Sequence, residues 1–145
     1  MHEVTRSAIV PYSASKMYTL VNDIACYPDF LPWCRSVEIL EIQMESMLAS
    51  LMITKPPFNQ QLTTRNTLQE NTRIEMRQQT GPFSCFEADW QFENLSADAC
   101  QVHFCTRFKF KSKMLDLAMS SYFSQVANAM LDAFVARAKQ VYTDG

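Results

Sequence analysis

The sequence predicts a single α+β domain in which an antiparallel sheet of about seven strands is closed over by a long C-terminal helix. Three observations carry this. Across residues 36–110 apolar side chains recur with a period of two, as in strands with one dry and one wet face. Turn-forming residues interrupt that stretch at short intervals, which makes consecutive strands antiparallel neighbours. From Ser112 to Tyr142 there is neither Pro nor Gly, and the apolar spacing lengthens to that of a helix. The 145 residues suit one domain spanning 1–145, and no repeat, linker or low-complexity run divides it.

Taken in order, residues 4–10 read as a first strand ended by Pro11. Ser13 can cap a helix whose Met17, Tyr18, Val21 and Ile24 keep helical spacing. The segment YPDFLPWC, residues 27–34, carries four large apolar side chains and two prolines, so no regular element runs through it. Pro28 suits a first helical turn and Pro32 disfavours helical geometry at Leu31, which leaves room for at most one turn between them. The clearest strand is SCFEADWQFEN: Phe86, Ala88, Trp90 and Phe92 share one face, and Glu87, Asp89, Gln91 and Glu93 the other. A turn at Thr80-Gly81-Pro82 separates it from a strand over residues 73–79. Val102, Phe104, Phe108 and Phe110 alternate with His103, Cys105, Arg107 and Lys109, while Pro56-Pro57 and Glu70-Asn71 mark two more turns. The final helix, about 30 residues and roughly 45 Å long, has an apolar stripe of Leu115, Met119, Phe123, Val126, Met130, Phe134 and Ala138. A twisted sheet of this size is best covered by gripping that helix.

Composition removes several functions. With 48% hydrophobic and 19% charged residues the chain is not disordered. Its net charge of -2 and pI near 5.6 lack the basic excess of a compact nucleic-acid binder, so DNA is not expected as a partner and any RNA contact must be local. The five cysteines (26, 34, 85, 100 and 105) form no CxxC pair, which favours buried reduced thiols over a disulfide framework or a zinc site. Only Gly81 and Gly145 are glycines, too few for a phosphate-cradling loop. No apolar run follows a basic start, and the charge-free stretch 117–131 is too short to span a bilayer, so a cytoplasmic location is expected.

Candidate sites leave alternatives open. The helix stripe reads either as plain core or as the wall of a lipophilic tunnel between sheet and helix. Met114, Met119 and Met130, among nine methionines, would make that wall adaptable. The run RFKFKSK sets Arg107, Lys109 and Lys111 on one face, either a solvated strand face or a patch for anionic headgroups or RNA phosphates. Arg65, in LTTRN, sits either at the surface or inward against a carbonyl or carboxylate. His103 falls on the polar face of its strand, and no nucleophile–base set can be assembled, so no catalytic residue is assigned.

The stretches YPDFLPWC, VPYSASKMYTLVNDI, TTRN, GPFSCFEADWQF and AFVARAKQVY together resemble the START-like family that holds the coenzyme-Q-binding proteins and the bacterial ribosome association toxin RatA. The likeness runs from Thr5 to Tyr142, and the tail leans toward the bacterial branch. It implies a helix-grip fold and a binding protein rather than an enzyme. No cofactor is implied. The ligand would be ubiquinone or a polyisoprenoid precursor, collected by transient contact with a membrane surface, at the periphery of the inner membrane, in support of respiration. The ribosome-associated branch implies instead binding to the large ribosomal subunit and inhibition of subunit association.

On this resemblance Tyr27, Phe30, Leu31 and Trp33 form a rigid lip at the tunnel mouth, with Trp33 partly exposed. Arg65, Phe86, Trp90, Phe92, Met119, Phe123, Met130 and Phe134 then line the ligand space. The competing reading makes YPDFLPWC a plug that closes the core. One departure bears on the cavity: the family often has glycines before the tryptophan of its GPF…W.F motif, where this chain has Ala88 and Asp89.

Overall fold

A computed structural model describes residues 1–55 and 58–142. Pro56-Pro57 therefore lies outside the described residues. The order of elements is β1 (His2–Val10), α1 (Ala14–Asn22), a 3-10 helix (Ile24–Asp29), β2 (Cys34–Ile42), β3 (Ser46–Lys55), β4 (Phe58–Gln69), β5 (Arg73–Thr80), β6 (Phe83–Ser96), β7 (Ala99–Phe110) and α2 (Lys113–Val141). Seven strands form one sheet in the order β1-β7-β6-β5-β4-β3-β2, every neighbouring pair antiparallel. The crossing from β1 to β2 carries α1 and the 3-10 helix from one sheet edge to the other, and each strand from β2 to β6 pairs with the strand that follows it.

Local chemistry explains the boundaries. Ser13 Oγ accepts from the Lys16 amide at the start of α1, and Ser112 Oγ accepts from the Met114 and Leu115 amides at the start of α2. Asp116 in the first turn of α2 and Lys139 in the last complement the helix dipole. Asn71 takes a positive φ of 62° in the β4–β5 turn, which Thr72 closes by donating to the Gln69 carbonyl. At the β5–β6 turn the Gln78 amide bonds both the Phe83 N–H and its carbonyl. A Cβ on Gly81 would come within 2.5 Å of Gln78 Oε1, so glycine is required there by close approach.

One expectation is corrected. The helical turn does not lie between Pro28 and Pro32 but spans Ile24–Asp29, with Pro28 inside it. A proline removes only one donor from so short a run. The Tyr27 carbonyl then accepts from both Phe30 and Leu31, and the Leu31 carbonyl accepts from Cys34, delivering the chain into β2.

The two sheet faces are chemically opposite. The inner row of partners Val4, Thr106, Ala88, Met76, Asn66 and Met47 crosses β1, β7, β6, β5, β4 and β3. One residue along each strand, the outer row reads Glu3, Arg107, Glu87, Arg77, Arg65, Leu48 and Glu41. Its ion pairs run Glu3–Arg107 (3.8 Å), Arg107–Glu87 (3.3 Å), Glu87–Arg77 (3.8 Å) and Arg65–Glu41 (3.8 Å). Such partly exposed pairs are individually weak, but they hold opposite charges across the strands.

The long helix α2 packs on β1, β7 and α1. Its fully covered residues are Met119, Phe123, Ala127, Leu131, Phe134 and Ala138. The stripe read from spacing is thus rotated slightly: Ala127 and Leu131 face the core, and Val126 and Met130 flank it half-buried. Under the first half of α2, Phe123 meets Phe83, Phe108 and Phe110 at centroid distances of 5.3, 4.8 and 6.1 Å, a dry aromatic block.

Candidate functional site

Because α2 rests on the β1–β7 side, the inner face of β3–β5 is left facing the helix across a gap. That gap is an apolar cavity of about 60 Å³. The sheet supplies Leu51 and Ile53 (β3), Leu62 and Thr64 (β4), Met76 (β5), Phe86, Ala88 and Trp90 (β6), and Phe104 and Thr106 (β7). Phe123, Val126, Ala127, Met130 and Phe134 form the helix side, and Ile24, Tyr27 and Trp33 close one end. Met76, Phe86, Val126 and Met130 keep partial exposure, whereas the other lining residues are buried.

The lining offers little chemistry. Among the described residues no Asp, Glu, His, Lys, Arg or Cys is part of it. The Tyr27 phenol donates to the Val21 carbonyl, and burial raises its pKa far above the ordinary value, so it stays protonated. Thr106 Oγ1 donates to the Glu87 carbonyl at 2.8 Å, and Thr64 Oγ1 donates to Asn66 Oδ1 at 2.9 Å. Size is the second property. An apolar cavity of about 150 Å³ accepts a benzene ring, so this one in its closed form holds less than a ring.

Seven of the expected cavity residues line it: Tyr27, Trp33, Phe86, Trp90, Phe123, Met130 and Phe134. Five do not. Met119 is wholly buried in the core, and Phe92 is buried between Trp90 and Tyr18. Arg65 faces outward, its guanidinium on Glu41 and Gln79, because Leu62 and Thr64 on the alternating positions take the inner face. Leu31 is buried, and Phe30 is half-buried beneath the Arg137 guanidinium at 5.1 Å.

The lip is corrected accordingly. Tyr27, Leu31 and Trp33 are 5%, 2% and 9% exposed, so Trp33 is not the partly exposed aromatic expected of a mouth. Tyr27 and Phe30 stand edge-on to Phe134 at 5.3 and 5.2 Å, and Arg137 reaches Asp29 at 4.0 Å. The segment packs its Tyr27 and Phe30 rings against Phe134 in the C-terminal half of α2. As for the glycine departure, the Ala88 methyl does enter the cavity lining, while Asp89 points outward to Arg73 and Arg77.

The expected site lacks Leu51, Ile53 and Thr106, and alternation missed Leu62, Thr64 and Met76, since β4 and β5 carry polar residues on both faces and show no clean period. Of the basic face, Lys109 and Lys111 are exposed, but Arg107 stands between Glu3 and Glu87. Among the described residues no helix is long and apolar enough to cross a membrane.

Comparison with known proteins agrees with this architecture. The chain matches the family model described as polyketide cyclase / dehydrase and lipid transport over residues 10–135. It is 41% identical over 143 residues to the ribosome association toxin RatA of Escherichia coli K12, covering 99% of this chain and 90% of that protein. It is 28% identical over 144 residues to coenzyme Q-binding protein COQ10 homolog B, mitochondrial, of Xenopus laevis, covering 97% of this chain and 59% of that one. In structure it is similar to the Zhui aromatase/cyclase of Streptomyces sp. R1128, with a TM-score of 0.85 at 20% identity over 99% and 98% of the two chains. A START superfamily protein of Mycobacterium smegmatis superposes with a TM-score of 0.81 at 18% identity, over 97% and 99%. These last two likenesses speak for the fold alone. With a family model matched over most of its length, and RatA similar from end to end, the chain belongs to the START-like polyketide cyclase / dehydrase and lipid-transport family.

Proposed function

We propose that this protein is a non-catalytic binder of an isoprenoid quinone such as ubiquinone, or of its precursor, held in the cavity between the β3–β5 face and α2. The observation that carries the reading is the lining itself: mainly apolar side chains from five strands, the 3-10 segment and α2, with no Asp, Glu, His, Lys, Arg or Cys among the described residues. Catalysis of the cyclase kind needs a positioned proton donor or acceptor, and the buried Tyr27 phenol is already committed to a carbonyl. The cavity must widen to take a ring. Of its half-exposed members Met76, Phe86, Val126 and Met130, the two flexible methionines are the side chains most able to yield. The coenzyme Q-binding name of the Xenopus relative supports the choice of ligand class.

Organic extraction of the gently purified protein followed by mass spectrometry tests this, together with tryptophan fluorescence titrated with a solubilised quinone. Trp33 and Trp90 both line the cavity, so a saturable change is expected. Absence of both an extracted lipid and a saturable response overturns the reading.

A second reading, association with the large ribosomal subunit, is favoured by the 41% identity to a ribosome association toxin. Lys109 and Lys111 are its first contact candidates, since the exposed Arg107 has Glu3 and Glu87 beside it. Co-sedimentation with ribosomal subunits should fall steeply with salt and be lost on changing both lysines to Glu. No binding by the unaltered protein at low salt removes this function.

A further inference from the structure

Asn66 is wholly buried, yet among the described residues its amide nitrogen Nδ2 has no hydrogen-bond partner. The carbonyl end is occupied, accepting from Thr64 Oγ1 at 2.9 Å, so the amide is turned with its two N–H groups unused. A buried donor without a partner is costly and uncommon in folded proteins. Its surroundings tell where a partner could come from. Asn66 sits on the inner face of β4, two residues from Thr64 and directly opposite Met76 of β5. Thr64 and Met76 both line the cavity, as do Ala88 and Thr106 farther along the same row. Asn66 itself is not part of the closed lining; Met76 is the next side chain toward the cavity, at the spacing of one strand. Met76 is unbranched and keeps partial exposure, so it can swing where a branched side chain cannot.

We infer that Asn66 is the polar hook of the ligand site, donating from Nδ2 to a carbonyl oxygen of the bound ring once Met76 has moved aside. The inference rests on the quinone-binding reading above and sharpens it. A pure hydrocarbon tail would leave the amide unsatisfied, whereas a ring bearing an acceptor oxygen satisfies it. The site then selects ligands that combine an apolar body with a carbonyl group. Thr64 is a positioning residue, since its hydroxyl donates to the amide oxygen and leaves the nitrogen free. Asn66 also explains why a strand facing a lipophilic space carries polar residues at two successive inner positions, Thr64 and Asn66.

The test compares a decyl-substituted benzoquinone with decylbenzene, which has the same tail and no carbonyl, by calorimetric titration of the full chain. The unaltered protein should prefer the quinone by about tenfold, the scale of one net hydrogen bond. Asn66→Leu should melt no lower than the parent, lose that preference and keep its affinity for decylbenzene. Asn66→Ser, too short to reach, should behave likewise if the leucine variant does not fold. The carbonyl stretch of the bound quinone should lie at lower wavenumber in the parent than in either variant. Unchanged quinone affinity in a folded variant, or equal binding of the two ligands by the parent, overturns the role of Asn66 while leaving the cavity reading intact. Binding of neither ligand by the parent overturns both.

Discussion

The inner face of this sheet has two halves that differ in how they meet α2. On the β6–β7 side, Phe83, Phe108 and Phe110 interlock with Phe123, and all four are nearly or wholly buried. On the β3–β5 side, Leu51, Ile53, Leu62, Thr64 and Met76 face the helix across open space. Both halves are lined from the same sheet face, so sidedness does not separate them. Filling does: four rings close on one another beneath the helix, whereas the other half borders the cavity, whose rim on the β6–β7 side is Phe86, Trp90 and Phe104. The helix is held on the filled side and roofs the other, tethered to β3 by the Lys55 contact to the Ala118 carbonyl and the Tyr122 contact to the Thr54 carbonyl. One half is thus filled and the other keeps a cavity.

The comparison can be broken most forcefully at the helix. Phe123→Asn puts an amide into the ring block and should cost about 4 kcal/mol or more, enough to unfold a marginal domain. Met130→Asn, half-buried on the cavity side, should cost less than half as much while weakening quinone binding. Urea denaturation of the two variants measures the asymmetry, and equal losses would show that the cavity wall is packed core. On the sheet, Phe108→Ala should destabilise by about 3–5 kcal/mol and Leu62→Ala by only about 2, because the leucine already borders a void. Trp33→Ala probes the plug. The side chain is 9% exposed and lines the cavity end, so truncation should cost roughly 3 kcal/mol; a melting temperature unchanged by it would restore the exposed lip.

The smallest effect is expected at high pH. Burial lifts the Cys34 thiol from 9.0 to about 11. Above pH 9 the unfolded chain therefore releases this proton while the folded one keeps it, so stability is full below pH 9 and declines through about pH 11. The buried Tyr27 phenol, also raised, adds to the decline in the same direction at higher pH. Melting temperatures at pH 8 and pH 10.5 should show the fall, and Cys34→Ala should flatten it; an identical slope in that variant would assign the decline elsewhere.

How much of this was legible differs between strands. SCFEADWQFEN alternates apolar and acidic residues without a break, and its inner face came out as read. RIEMRQQT and the middle of β4 do not alternate cleanly, so Thr64, Asn66 and Met76 left no mark as inner-face residues. A threonine or an asparagine facing inward is indistinguishable in sequence from one facing water. Arg65 shows the same blindness in reverse, since either orientation was compatible with its neighbours until pairing with Arg77 and Leu48 placed it outside. YPDFLPWC declared itself irregular and apolar, but not whether its rings face water or helix.

Sequence by itself determined the order and kinds of elements, the caps at Ser13 and Ser112, the turns at Glu70-Asn71 and Gly81, and membership of the family. These rest on local chemistry and periodicity, which act within a few residues along the chain. Only the tertiary structure decided the rotation that puts Ala127 and Leu131 rather than Val126 and Met130 at the centre of the helix face. It alone decided the burial of Trp33, the occupation of Arg107 by Glu3 and Glu87, and the orphan amide of Asn66. Each of these depends on partners brought together across strands and helix from distant points in the chain.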